Sequence, residues 1–222
     1  MRQLFHLWLS PASRAVRVVL AEKGLDFEMQ VEPIWDRRPE FMAMSPAGDV
    51  PVLLEDDGQS LSEVAAICEY LDEAYPEKPM LPTDAMARAE VRRITSWFNH
   101  KFQREVTRNL VDEKVMKRFM GMGEANTNAL RAGYHNIGYH MDYICHLIER
   151  RFWLAGEEFS LADIVAATQL SCLDYLGDVP WENYEAAKSW YARVKSRPSF
   201  RPLLSDRIGG LKPAKHYNDL DF

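Results

Sequence analysis

The chain has 222 residues, 47% of them hydrophobic, and a formal net charge of -6. That length can bury one or two sizeable cores. The acidic balance argues against a general polyanion binder, so nucleic acid is not expected as a partner. No apolar run reaches the ~18 residues of a membrane span. The run at 4–9 is too short for a signal-peptide core and is soon followed by Arg14 and Arg17. A cytoplasmic protein with no membrane span is expected. Cys68, Cys145 and Cys172 are widely spaced, which suits reduced thiols and gives no CxxC redox or zinc pattern. No metal and no required cofactor are expected.

Residues 3–9, rich in apolar and aromatic side chains, read as a strand. Residues 13–23 read as a helix that Gly24 ends. A second strand over 28–32 closes at Pro33, and Trp35, Asp36, Arg37 and Arg38 follow as a charged loop. The stretch 44–54 then reads Met-Ser-Pro-Ala-Gly-Asp-Val-Pro-Val-Leu-Leu. Its end looks like a buried strand, yet Pro51 cannot donate to a sheet ladder. A cis Val50-Pro51 bond would resolve the conflict. It would leave the Val50 N–H and C=O facing outward, able to pair with an extended peptide. An ordinary trans turn into an edge strand fits these residues equally well. Asp57-Gly58 marks a hairpin between strands at 52–55 and 59–62, and 63–75 is a helix halted before Pro76. A β-α-β…β-β-α order predicts a small mixed sheet covered by helices, over residues 1–76. Pro76, Pro79 and Pro82 punctuate a linker at 77–83.

From Thr83 the pattern turns helical. Ile94, Trp97, Phe98, Phe102, Val106 and Leu110 form one apolar stripe, and Gly121-Met122-Gly123 breaks the helix that carries it. Further helices are expected at 128–151, 160–175, 183–196 and 199–207, giving an all-α domain over 84–207. Ser160-Leu161-Ala162-Asp163 is close to a capping box, a structural device. His135, His140 and His146 are spaced by five and six, which does not set ligands on one helix face. Lys114, Lys117 and Arg118, with Arg104 and Arg108, are either a solvated helix face or a docking patch for an acidic partner. Residues 208–222 hold two glycines and Pro213 and no helical period, so an extended tail is expected.

Four pieces stand in order along the chain: Ser10-Pro11-Ala12-Ser13-Arg14, Ser45-Pro46-Ala47-Gly48-Asp49-Val50-Pro51, Glu63-x-x-Ala66-Ile67, and Phe159-Ser160-Leu161-Ala162-Asp163. Together they resemble the glutathione S-transferase superfamily. The resemblance implies an α/β thioredoxin-like N-terminal domain and an all-α C-terminal domain. It aligns Ser10 with the serine that donates a hydrogen bond to the glutathione sulfur, favouring the thiolate. Otherwise Ser10 and Ser13 simply cap the helix, Ser13 being the better placed. Val50, Pro51, Glu63 and Val64 would meet the tripeptide, and Arg37 or Arg38 could reach its glycyl carboxylate. Two departures weaken such a site. Val64 replaces a serine whose hydroxyl bonds the γ-glutamyl carboxylate, a loss of ~1.5–3 kcal/mol. Asp49 puts an acid near the glycyl end. Glutathione is therefore expected as a weak ligand only.

Residues 174–181, 197–204 and 216–222 are similar to a bacterial cell-division branch of the superfamily whose members bind filaments of the tubulin-like FtsZ. The resemblance implies a homodimer that bridges FtsZ filaments at the division site. The partner-binding residues would be Asp219, Leu220, Asp221 and Phe222, with Lys114, Lys117 and Arg118. On this reading the tail serves the partner and not the fold, so truncation after Arg207 would leave stability nearly unchanged. A tail folded back into its own domain is the alternative. The competing function is an active transferase that uses Ser10 to conjugate glutathione to small electrophiles in an apolar pocket between the domains.

Overall fold

A computed structural model describes residues 1–220; Asp221 and Phe222 lie outside the described residues. The chain divides into two compact units between Met80 and Leu81.

The first unit runs β1 (Gln3–His6), α1 (Pro11–Lys23), β2 (Glu28–Val31), α2 (Pro39–Met44), β3 (Val52–Leu54), β4 (Ser60–Ser62) and α3 (Val64–Ala74). The sheet order is β2-β1-β3-β4, with β1 parallel to β2 and both other pairings antiparallel. This is a thioredoxin-like arrangement. Leu4, Val52 and Leu53 on the sheet, Val16, Val19 and Leu20 on α1, and Ile67 and Leu71 on α3 are all fully buried. Removing these branched side chains from water supplies most of what holds the unit together. At its C-terminus α1 is closed by Gly24 at φ 69, whose N–H meets the Ala21 and Leu20 carbonyls, a left-handed cap that glycine takes without a Cβ penalty. The buried Lys23 ammonium then pairs with Asp72 at 2.9 Å and donates to the Tyr75 carbonyl at 2.7 Å.

Three expectations change here. The helix begins at Pro11, not Ser13: Ser10 is the cap, its hydroxyl accepting from the Ser13 N–H at 3.2 Å, and Ser13 is fully buried within the first turn. Proline at the first helical position fits this, because its missing N–H would have had no partner there. The first strand ends at His6 rather than residue 9. And the loop after β2 contains a helical turn at Ile34–Asp36 and the unforeseen α2, which tucks Phe41 into the core.

The second unit is helical. α4 (Ala85–Ser96) runs on through a π-wound stretch, Trp97–Met116, into α5 (Lys117–Phe119). There follow α6 (Thr127–Ile148), α7 (Leu161–Leu176), α8 (Glu185–Lys195) and α9 (Arg201–Leu204). Ile94, Phe98, Phe102, Val106 and Leu110 are fully buried, whereas Trp97 of the expected stripe is half-buried. Against that face α6 approaches closely: a Cβ on Gly133 would lie 2.7 Å from Leu110 Cγ. α7 is buried almost throughout, and its capping box is formed, Asp163 Oδ2 accepting from the Ser160 N–H at 3.1 Å. The other Asp163 oxygen takes the Leu154 N–H and the Trp190 indole N–H, both at 2.9 Å.

The tail does not extend into solvent. Ile208 and Leu211 form a bridge, the Ala214 N–H donates to the Tyr175 carbonyl at 2.9 Å, and Tyr217 is fully buried. The Tyr217 hydroxyl donates to the Leu203 carbonyl at 3.1 Å, and its ring packs edge-on against Tyr175. This strap is structural as far as Tyr217, which corrects the expectation that the tail stands apart from the fold.

Candidate functional site

The register of the sheet decides where the first unit can bind anything. Phe5 pairs with Val52, and Val52 with Ser62. The C-terminal end of β1, the N-terminal end of β3 and the C-terminal end of β4 therefore share one end of the sheet. The segments leaving there carry Ser10, Val50-Pro51 and Glu63-Val64. Residues distant in sequence are brought to one edge by the antiparallel pairing alone.

The Val50-Pro51 bond is cis. Val50, half-buried, makes no main-chain hydrogen bond among the described residues, so its N–H and C=O are available to an extended ligand. Ser10 is half-buried; its oxygen accepts from Ser13 while its own O–H proton remains to be donated. Capping the helix and polarising a sulfur are thus compatible roles for one hydroxyl. Arg37 sits at φ 45, and its guanidinium lies 3.6 Å from where a Gly48 Cβ would be, beside the Gly48-Asp49-Val50 turn. Arg38, by contrast, is tied to Glu32. Asp49 is exposed on the same turn.

Glu63 departs from what sequence reasoning anticipated. It holds φ 79, a left-handed conformation rare for a residue with a side chain. Such strain, about 1–3 kcal/mol, concentrates at ligand-binding positions. Its carboxylate turns back to accept from the Ala65 and Ala66 N–H groups at 3.0 and 3.2 Å. The start of α3 is therefore already capped by an anion. Val64 is buried and its side chain adds no donor.

The second unit answers differently for the other candidates. Lys114 is consumed internally: its ammonium holds both Asp178 oxygens at 2.6 and 2.7 Å. Burial works to lower its pKa, but the Asp178 and Tyr134 hydrogen bonds outweigh it and the pKa rises. Lys117 pairs with Glu113 at 2.6 Å, and Arg118 donates to the Gly210 carbonyl at 3.4 Å. The basic cluster is therefore partly neutralised rather than a uniformly free patch. Asp219 is exposed and Leu220 half-buried at the end of the strap; Asp221 and Phe222 fall outside the described residues. His140 is fully buried, accepting the Trp97 indole N–H at Nδ1 (3.0 Å) and facing Glu105 from Nε2 at 3.2 Å. Among the described residues no cluster of three metal-type side chains forms, and no helix is long and apolar enough to cross a membrane.

A thioredoxin-like sheet with a cis-proline edge, a serine capping its first helix and an acid at the start of its third define a glutathione-transferase type of domain. Residues 4–79 match the family model for the glutathione S-transferase N-terminal domain, and residues 137–198 the model for its C-terminal domain. The chain belongs to the glutathione S-transferase superfamily. It is 49% identical to FtsZ-localized protein A of Caulobacter vibrioides, covering all of this chain and 98% of the relative. Among solved structures it is similar to a glutathione S-transferase from Rhodospirillum rubrum, with 55% identity, a TM-score of 0.98 and complete coverage of both chains. It is similar also to FzlA from C. crescentus, with 47% identity and a TM-score of 0.96, covering 100% of this chain and 99% of that one.

Proposed function

We propose that this protein is a bacterial cell-division regulator that binds FtsZ filaments as a homodimer in the cytoplasm at the division site, with glutathione a weak or absent ligand. The observation that carries this reading is the end-to-end similarity to FtsZ-localized protein A. The geometry of the first unit supports its second half. A γ-glutamyl carboxylate would need donors at the start of α3, where Glu63 occupies two N–H groups and Val64 supplies no hydroxyl. Asp49 adds a repelling charge near the other end of the tripeptide.

A second reading keeps the chain an enzyme, a transferase conjugating glutathione to small electrophiles. It is favoured by the half-buried Ser10 with a proton to donate and by the main chain of Val50, unpaired among the described residues. Pelleting polymerised FtsZ with the purified chain, beside calorimetric titration with glutathione, separates the two. Filament-dependent pelleting with no micromolar glutathione binding is expected. Micromolar glutathione binding without pelleting would replace the first reading by the second.

A further inference from the structure

We infer that the α5 turn and the strap together form a docking surface for an acidic peptide with apolar side chains; the choice of partner rests on the filament-binding reading above. Arg118 is the joint. Its guanidinium meets the Gly210 carbonyl at 3.4 Å, and a Cβ at Gly210, which stands at φ +78, would lie 3.2 Å from Arg118 Nη2. The turn of the strap thus sits directly on α5. Lys212 and Lys215 follow on that strap, both exposed. Arg118, Lys212 and Lys215 meet no carboxylate among the described residues, in a chain of net charge -6. Among the described residues they are uncompensated cations, unlike Lys114 and Lys117.

Beside Arg118 the chain exposes Phe119 (41%), Met120 (37%) and Met122 (61%). The turn carrying them is held by the Met120 N–H on the Met116 carbonyl at 2.9 Å and the Met122 N–H on the Lys117 carbonyl at 2.8 Å. An apolar knob on a fixed turn binds with little ordering cost, and methionine adapts to varied partners. An anionic bilayer fits less well. Polybasic membrane anchors carry about four to eight cations, and exposed Glu124 stands at the same tip.

The test uses the full chain and a fluorescein-labelled peptide of alternating aspartate and leucine ending in phenylalanine, read by anisotropy. Saturable binding is expected, falling as salt rises. Arg118→Glu/Lys212→Glu/Lys215→Glu and Met120→Ser/Met122→Ser should each weaken it, the first by at least about tenfold since three pairs are reversed, with both variants still melting in one cooperative transition. Absence of peptide binding, or binding indifferent to both variants, overturns the inference. So does binding of phosphatidylglycerol vesicles in preference to the peptide. A parallel FtsZ pelleting arm separates the two claims. Filaments bound equally by wild type and variants leave the proposed function standing and remove this surface. Peptide binding without filament pelleting does the reverse.

Discussion

On the proposed reading, Val64 and Asp49 weaken the glutathione edge of the first unit with two side chains. A hydroxyl at position 64 would add a charge-assisted hydrogen bond worth ~1.5–3 kcal/mol, and Asp49→Lys would turn a repulsion into an attraction. The double change Val64→Ser/Asp49→Lys is therefore expected to tighten glutathione binding by roughly tenfold or more, measured by calorimetry. No change would mean the tripeptide does not meet this edge of the sheet. His140 makes a second single-residue prediction. Burial, opposed by the Glu105 hydrogen bond, lowers its pKa to about 4, and the Trp97 N–H on Nδ1 requires that nitrogen unprotonated. The folded state thus prefers neutral imidazole, while the unfolded chain takes up its proton near ~6.5. Stability from this residue is fully present above ~6.5 and is lost as pH falls towards about 4. The groups facing it are Glu105, Trp97 and, by its charge, Lys101. Tm should decline across that window, and His140→Asn should flatten the decline while lowering Tm at neutral pH. A decline of equal slope in the variant would assign it to other groups.

Elements were legible where periodicity or turn chemistry marked them. The β1-α1-β2 order, the hairpin at Asp57-Gly58 and the capping box of Ser160 and Asp163 all announce themselves locally. α2 did not, because six residues between prolines hold too few turns to show a helical period. Ser10 as the cap is readable from Pro11, which marks the first helical position and so sets the cap one residue before it. At the site, the edge at Val50-Pro51 could be found from the sequence, but the self-capping conformation of Glu63 could not, since φ is set by where β4 and α3 meet. The strap was illegible for a different reason. Its buried anchor, Tyr217, owes its place to Tyr175 and Leu203, and no local pattern encodes partners so far back along the chain. His216 likewise meets the buried Asp174 at 2.9 Å, the carboxylate that also takes the Trp181 indole N–H at 2.8 Å. Deleting residues after Arg207 should therefore cost about what a large core side chain costs, ~3–5 kcal/mol. That corresponds to roughly 6–20 °C in Tm. Tyr217→Ala alone should account for most of it. A truncated chain melting within a few degrees of the full one would show that the strap carries no stability.

For the whole molecule the decisive question is valency. One chain of 25.7 kDa with one filament-binding surface can decorate a filament but cannot join two. Two copies related by symmetry present two such surfaces, and the second contact then forms at high effective concentration. The face formed by α4 and α6 offers material for that pairing. Met86 is 79% exposed and Tyr139 58%, and Tyr139 stacks on Trp97 with Lys101 above both rings. Aromatic side chains left in water on a helix pair are the composition expected of an interface core. Light scattering at micromolar concentration should give twice the chain mass. Met86→Glu/Tyr139→Glu places two charges on that face and should yield a folded monomer, its Tm lower only by what dimerisation contributed and no longer dependent on concentration. If the dimer is what bridges, the monomeric variant will still pellet with FtsZ, more weakly, and electron microscopy will show single filaments in place of bundles. Bundles formed by a proven monomer would place two filament contacts within one chain and remove the need for the dimer.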